Sequence, residues 1–236
     1  MPSHPPVAMS IRLPSDFPRS PYLSFYWRVQ ARAQRDGYPD EWQGHFIGSW
    51  KATAYRFRAC ESHCRAFTRS VARFGSAPFE SQQYRQDTDL FGFFVNGLSA
   101  LESLYYCLFA VGSRLSPPDF PFATDKDIRR VEPTSVASAF GTAYQHDALT
   151  LVLQGVLAQP EYTEWKEVRN VLAHRVVPGR TIYLGTAPAR IPPHELRVSA
   201  LRIPLTDQTT AIRRAWLAST LTDVLRQADG FAARYC

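Results

Sequence analysis

Residues 167–175 combine side chains that can move protons and stabilise negative charge at one end of a helix. Arg169 and His174 stand in the spacing R-N-x-x-x-H, and Pro178-Gly179 stops the helix just beyond them. A histidine with a pKa near neutrality can accept or give a proton, and an arginine can stabilise a growing negative charge. On a helix Asn170 and His174 share a face, whereas Arg169 lies about 140° from His174 and has to reach round with its long side chain. Arg169, Asn170 and His174 are therefore the candidate catalytic residues.

This spacing resembles the R-x(4–6)-H signature of HEPN domains, small helical proteins that include many metal-independent ribonucleases. Arg58 and His63 have the same spacing, but Ala59 follows Arg58, whereas Asn170 follows Arg169 as in the commonest form of the family motif. The resemblance implies a metal-independent RNA endonuclease without a cofactor, acting as a toxin or phage-defence effector. It also implies a homodimer in which two motifs face each other across a cleft, with an antitoxin or regulatory protein as a candidate partner.

In such a ribonuclease the RNA 2′-hydroxyl attacks the adjacent phosphorus, His174 moves a proton, and Arg169 stabilises the phosphorane oxygens. Arg175 and Arg180 are candidate RNA-binding residues at the positive rim. Glu102 is the only charge between residues 90 and 111, and a lone buried carboxylate needs a cation. It is therefore a candidate supporting partner of Arg169, with a purely structural ion pair as the alternative.

The same motif has a non-catalytic interpretation. Arg169 and His174 could cap helix carbonyls and interact favourably with the helix dipole. Some HEPN-like domains have lost catalysis, so the alternative function is a module that binds RNA, a nucleotide or a protein partner. Some toxin members carry a tyrosine two positions after the histidine, as a site of inactivating adenylylation; here Val176 takes that position, which does not support such regulation.

Composition indicates an anionic partner without identifying it. The net charge is +6, and 24 of the 27 basic residues are arginine, a skew that phosphate recognition or genomic codon bias can produce. One helix face carries Arg58, Arg65, Arg69 and Arg73. This face is either a solvated surface or a binding surface for the RNA backbone. Cys60, His63 and Cys64 offer three metal ligands, but the cysteines fall on the apolar stripe and no second pair completes a zinc site, so we predict no metal.

The elements that must position these residues are mainly helical. Apolar periodicity and helix-breaking residues predict helices over 22–35, 50–74, 87–112, 135–144, 147–159, from Pro160 through the motif, and 209–235. Residues 116–133 are predicted to form a long loop. Residues 181–184 and 195–204 suggest two short strands or a β-hairpin before the last helix.

The predicted whole is an HEPN-like up-and-down helical bundle with a small β-hairpin insertion before the last helix. Residues 1–21 are predicted to form a Pro-rich N-terminal arm, flexible or docked, and residues 22–236 to form a single domain. This domain has a core at about 50–175, a β insertion at about 181–204 and a C-terminal helix at about 209–235. The apolar run 90–111 is diluted by polar residues and glycine, so it is predicted to be a buried bundle helix and not a membrane span. We expect a cytoplasmic protein.

Overall fold

A computed structural model of the chain describes residues 12–174, 179–184 and 192–236. Over these residues the protein is mainly helical, with a small antiparallel sheet before the last helix, which confirms the predicted fold class. The helices are α1 (Arg19–Asp36), α2 (Asp40–Phe74), α3 (Glu80–Leu115), α4 (Asp125–Arg129), α5 (Pro133–Ala143), α6 (Ala148–Leu157), α7 (Pro160–His174) and α8 (Thr209–Tyr235). The strands are β1 (Gly179–Thr181), β2 (Glu195–Val198) and β3 (Leu201–Pro204).

The two longest helices, α2 and α3, pack along each other and form the scaffold of the bundle. Both begin earlier than predicted. In α2 the acidic first turn of Asp40 and Glu41 suits the positive end of the helix, and the buried stripe already includes Trp42 and Phe46. The turn between the helices contains Gly75, whose φ of 74° favours glycine, and Gln86 of α3 donates a hydrogen bond back to the Gly75 carbonyl.

Helix α7, which carries the motif, is packed against α3 at a glycine. A Cβ atom on Gly97 would lie 2.2 Å from the Trp165 ring, so only glycine allows the indole to come this close to the α3 backbone. The Trp165 side chain is buried and packs against the rings of Phe93 and Phe94, at centroid distances of 4.9 and 5.1 Å. This contact sets the distance of α7 from α3, and with it the position of Arg169 one turn further along.

Helix α3 is the one helix among the described residues that is long and apolar enough to cross a membrane. Within the protein, 67% of its most apolar window is buried. Its buried side chains lie on nearly all sides of the helix, because α2, α5, α7 and α8 all contact it. This arrangement is that of the central helix of a bundle.

The predicted loop at 116–133 contains a short helix, α4, that the sequence analysis missed. Thr124 accepts a hydrogen bond from the backbone of Asp127, whose carboxylate in turn accepts one from the Thr124 backbone, and this capping box stabilises the helix start. The helix is only five residues long and buries no side chain, so it leaves no apolar periodicity in the sequence.

The β insertion has three strands, in the order β1-β2-β3, and not the two predicted. The alternating run 195–204 bends at Ser199, whose φ is 53°, and so forms the two-strand hairpin β2–β3 by itself. Strand β1 pairs with β2 and ends at Thr181, so residues 182–184 are not the strand that we expected. Leu196, Val198 and Ile203 of the sheet are buried in the core.

The final helix is confirmed over Thr209–Tyr235, and it packs against α1, α2, α3 and α6. The predicted N-terminal arm lies partly outside the described residues, since the description begins at residue 12. Phe17 is buried against Tyr22 and Phe57, and Asp16 pairs with Arg214 of α8. The described end of the arm is therefore docked on the core.

Candidate functional site

A cleft of about 530 Å³ lies between α2, α3, α7 and the start of α5, and Arg169 lines it. The other lining residues are Gly48, Ser49, Ala52, Arg56, Ser99, Glu102, Ser103, Tyr106, Val131, Glu132, Pro133, Thr134, Tyr162 and Lys166. With Arg169 the lining has three cationic side chains and two carboxylates, and most of the others carry hydroxyl groups. The cleft therefore has more positive than negative groups.

Helical spacing explains why these residues meet. Tyr162, Lys166 and Arg169 stand at i, i+4 and i+7 on α7, so they form one stripe along that helix. Ser99, Glu102, Ser103 and Tyr106 stand at i, i+3, i+4 and i+7 on α3 and form the facing stripe. The packing of Trp165 against Gly97 brings the two stripes together across the cleft.

Arg169 and Glu102 form an ion pair between α7 and α3. Their side chains are 23% and 33% exposed, and the other carboxylate oxygen of Glu102 accepts a hydrogen bond of 3.4 Å from Ser99. The buried Nε of Arg169 has no hydrogen-bond partner among the described residues. A pair of this exposure stabilises the fold by roughly 1 kcal/mol at most, so its main effect is to orient the guanidinium toward the cleft.

Tyr162 is held neutral in the wall of the cleft. Burial, and then the negative charge of Glu102, raise its pKa to about 12, while Arg169 acts in the opposite direction. The phenol therefore keeps its proton at any physiological pH and can donate a hydrogen bond into the cleft.

A tyrosine–histidine pair also adjoins the cleft. The Tyr106 hydroxyl lies 2.9 Å from Nδ1 of His45, and burial raises the Tyr106 pKa. His45 also packs edge-on against Phe122, and α2 positions it one turn before Ser49. Residue spacing does not link the two, because Tyr106 is 61 residues away from His45 in the chain.

Of the three candidate catalytic residues, the structure describes the side chains of Arg169 and Asn170. Arg169 lines the cleft, whereas Asn170 is half-buried and is not one of the lining residues. His174 is the last residue of the helix, about 7.5 Å along the axis from Arg169, and its side chain lies outside the described part of the chain. Arg175 also lies outside the described residues.

Arg180 is engaged by the protein itself. Its side chain is 2% exposed and pairs with Asp87 at 2.5 Å, with further hydrogen bonds to the Gln86 side chain and the Ser76 carbonyl. These contacts attach β1 to the start of α3 and to the preceding turn. Because the guanidinium is buried and its donors are used, we leave Arg180 out of the RNA-contacting set proposed below.

The basic stripe of α2 is partly neutralised. The buried Glu61 pairs with Arg58 and with Arg65, so two of the four stripe arginines have a carboxylate partner. Cys60 and Cys64 are buried, as predicted, and His63 lies 3.2 Å from Asp89. Over residues 12–174, 179–184 and 192–236, no group of three or more histidine, cysteine or acidic side chains could hold a metal ion.

Four residues of the cleft were not predicted from the sequence: Arg56, Lys166, Tyr106 and Tyr162. The spacing of Tyr162, Lys166 and Arg169 was a usable signal, because it places all three on one face of α7. No comparable signal linked them to Arg56 on α2.

Comparison of the chain with protein-family models, with curated proteins and with solved structures gave no match in any of the three.

Proposed function

We propose that this protein is a metal-independent RNA endonuclease of the HEPN type, with Arg169, Asn170 and His174 as its catalytic residues. The observation that carries the proposal is the position of Arg169, which lines a cation-rich cleft on the helix that ends at His174. An enzyme of this type acts as a toxin or phage-defence effector in the cytoplasm, with RNA as its substrate. An antitoxin or another regulatory protein is a further partner in this proposal.

The reaction is an intramolecular phosphoryl transfer. The 2′-hydroxyl oxygen forms a bond to the adjacent phosphorus, and the bond from phosphorus to the 5′-oxygen breaks, which leaves a 2′,3′-cyclic phosphate and a 5′-hydroxyl. A base takes the proton of the 2′-hydroxyl, and an acid gives one to the leaving oxygen. Arg169 stabilises the charge on the phosphorane oxygens, and Glu102 holds its guanidinium in place.

Two proton-transfer groups are needed, and the motif supplies one histidine per chain. A homodimer with the two motif helices across a shared groove brings His174 of each protomer to the two-fold axis. We therefore propose that the working unit is the dimer, with one His174 as the base and the other as the acid.

The ion pair also favours a second candidate function. Glu102 already neutralises Arg169, and an arginine with a fixed carboxylate partner is typical of a structural position as well as of an active site. The second candidate is therefore a non-catalytic HEPN-like module that binds RNA, a nucleotide or a protein partner through the same cleft.

The two candidates separate in a cleavage assay with purified protein and total RNA. We expect His174→Ala and Arg169→Gln each to abolish cleavage, with thermal stability close to that of the wild type. The control substitutions His146→Ala and Arg85→Gln lie at exposed positions outside the cleft, and both variants should still cleave RNA. Equal cleavage by His174→Ala and wild type would exclude the proposed chemistry. A wild type that binds RNA without cutting it would favour the module.

Two further arms of the assay examine the mechanism. DNA should survive because it lacks the attacking 2′-hydroxyl, and EDTA should leave the rate unchanged because no metal takes part. Inhibition by EDTA would show that the reaction needs a metal ion, contrary to the proposal.

A further inference from the structure

Two cations in the cleft have no carboxylate partner among the described residues. Arg56 on α2 is half-buried and Lys166 on α7 is exposed, and neither takes part in an ion pair there. They differ in this from Arg169, which pairs with Glu102, and from Arg58 and Arg65, which pair with Glu61. Converging positive side chains repel one another, so an arrangement of this kind is stabilised when an anion lies between them.

The first turn of α5 faces the same cleft. Pro133 and Thr134 are the first two residues of this 11-residue helix, and both line the cleft. The positive end of the helix dipole therefore lies at the cleft that Arg56 and Lys166 also line. Glu132, the residue before this turn, partly offsets the positive charge.

The chemistry of the remaining lining favours a phosphate attached to a sugar over a simple anion. Tyr162 can donate its hydroxyl proton into the cleft. Ser99 and Ser103 donate theirs to Glu102 and to the Ser99 carbonyl, so their oxygens can accept hydrogen bonds from the hydroxyl groups of a ribose. A volume of about 530 Å³ lies within the range of roughly 300–1,000 Å³ that encloses small ligands. Such a space admits one unpaired nucleotide and excludes a base-paired duplex.

We infer that the cleft binds the phosphate group of a nucleotide, held by Arg56, Lys166 and the first turn of α5, with its ribose against the hydroxyl groups of α3 and α7. The phosphate belongs either to an unpaired residue of an RNA chain or to a free mononucleotide. The RNA source rests on the proposed ribonuclease function, whereas the mononucleotide source does not. Arg56 and Lys166 act here as binding residues and take no part in proton transfer.

Direct binding of defined probes tests this inference. The probes are a fluorescently labelled single-stranded RNA octanucleotide with 2′-fluoro sugars, which cannot attack its own phosphorus, together with AMP, UMP and inorganic phosphate. Anisotropy and calorimetry at about 50 mM salt keep the electrostatic contribution measurable. We expect Arg56→Gln and Lys166→Gln each to weaken binding about fivefold to tenfold, the effect of losing one partly exposed charged contact.

Matched controls separate the cleft from general surface charge. Lys51→Gln and Arg85→Gln remove the same charges from exposed positions on α2 and α3 outside the cleft, and they should change affinity by less than about twofold. Binding of the octanucleotide alone assigns the phosphate to RNA, and binding of AMP or UMP assigns it to a free nucleotide. The inference is overturned if no probe binds the wild type, or if the cleft variants bind as the controls do.

Failure of this inference is distinguishable from failure of the proposed function. Probe binding that depends on Arg56 and Lys166, in a protein that cuts no RNA, supports the cleft as a nucleotide site and removes the ribonuclease. Cleavage of unmodified RNA that is insensitive to both substitutions leaves the ribonuclease and removes the cleft as its phosphate site.

Discussion

Replacement of Gly97 by alanine should destabilise the protein and disturb the cleft together. The new Cβ atom would lie 2.2 Å from Cζ3 of Trp165, about 1.3 Å closer than the usual contact of about 3.5 Å between carbon atoms. The indole has little free space to move into, since it is 1% exposed and packs against both Phe93 and Phe94. Either α7 or the ring must therefore shift.

The magnitude follows from two opposing effects. Overpacking of a dense core costs roughly 1–3 kcal/mol, and this close approach belongs at the upper end. Alanine is better than glycine in the middle of a helix by about 1 kcal/mol. The expected loss in the free energy of unfolding is thus about 2 kcal/mol, which lowers the melting temperature by roughly 4–8 °C in a chain of this size.

Thermal and urea unfolding with a matched control would measure this effect. Gly44→Ala on α2 makes the same change where nothing lies within 4 Å, so it should raise stability by up to about 1 kcal/mol. Adding Trp165→Phe to Gly97→Ala should recover part of the loss, because the smaller ring leaves room for the methyl group. Since Arg169 follows Trp165 by one turn, nucleotide binding should also fall in Gly97→Ala. A Gly97→Ala protein as stable as Gly44→Ala would refute the argument.

Three other results are expected. Arg180→Met should lower the free energy of unfolding in urea by about 3 kcal/mol, because it leaves Asp87 and its neighbours without their buried cation. The control Arg226→Met, at an exposed ion pair, should lower it by less than about 1 kcal/mol. Similar losses in the two variants would contradict a structural role for Arg180. Because the folded-state pKa of Tyr162 is raised to about 12 from 10.0, its contribution to stability is present below pH 10 and is lost between pH 10 and 12. The free energy of unfolding of wild type should therefore fall by up to about 2 kcal/mol more than that of Tyr162→Phe over that interval. Parallel curves of unfolding free energy against pH would be inconsistent with a buried neutral phenol. Sedimentation at micromolar concentration should show a homodimer, and a strictly monomeric protein that still cuts RNA would eliminate the composite site with two His174 residues.

Local chemistry determined most of the helices. Apolar periodicity and stop signals predicted α7 from Pro160 and α8 over Thr209–Tyr235, because both helices bury a regular stripe and have clear boundaries. The short α4 was missed because it buries no side chain and so carries no periodic signal. The first turns of α2 were missed although Trp42 and Phe46 continue the buried stripe of Trp50 at helical spacing. The bend at Ser199 was also missed, because alternation continues through it and does not distinguish one strand from a tight hairpin.

The candidate site depended much more on tertiary structure. The sequence alone could name Arg169, Asn170 and His174 from their spacing, and it could suggest Glu102 as a partner for Arg169 because that carboxylate is the only charge in an apolar helix. Only the packing of Trp165 on Gly97 brings α7 close enough to α3 for that ion pair to form.

Arg180 illustrates the same limit. As a basic residue five positions after Arg175, it was predicted to contact RNA at the rim of the site. The fold instead buries its side chain against Asp87, which is 93 residues away in the chain. Arg56 and Lys166 came to one cleft in the same way, from helices far apart in sequence. Residue spacing reports which side chains share a helix face, whereas the partner that each face meets is set by the packing of the whole chain.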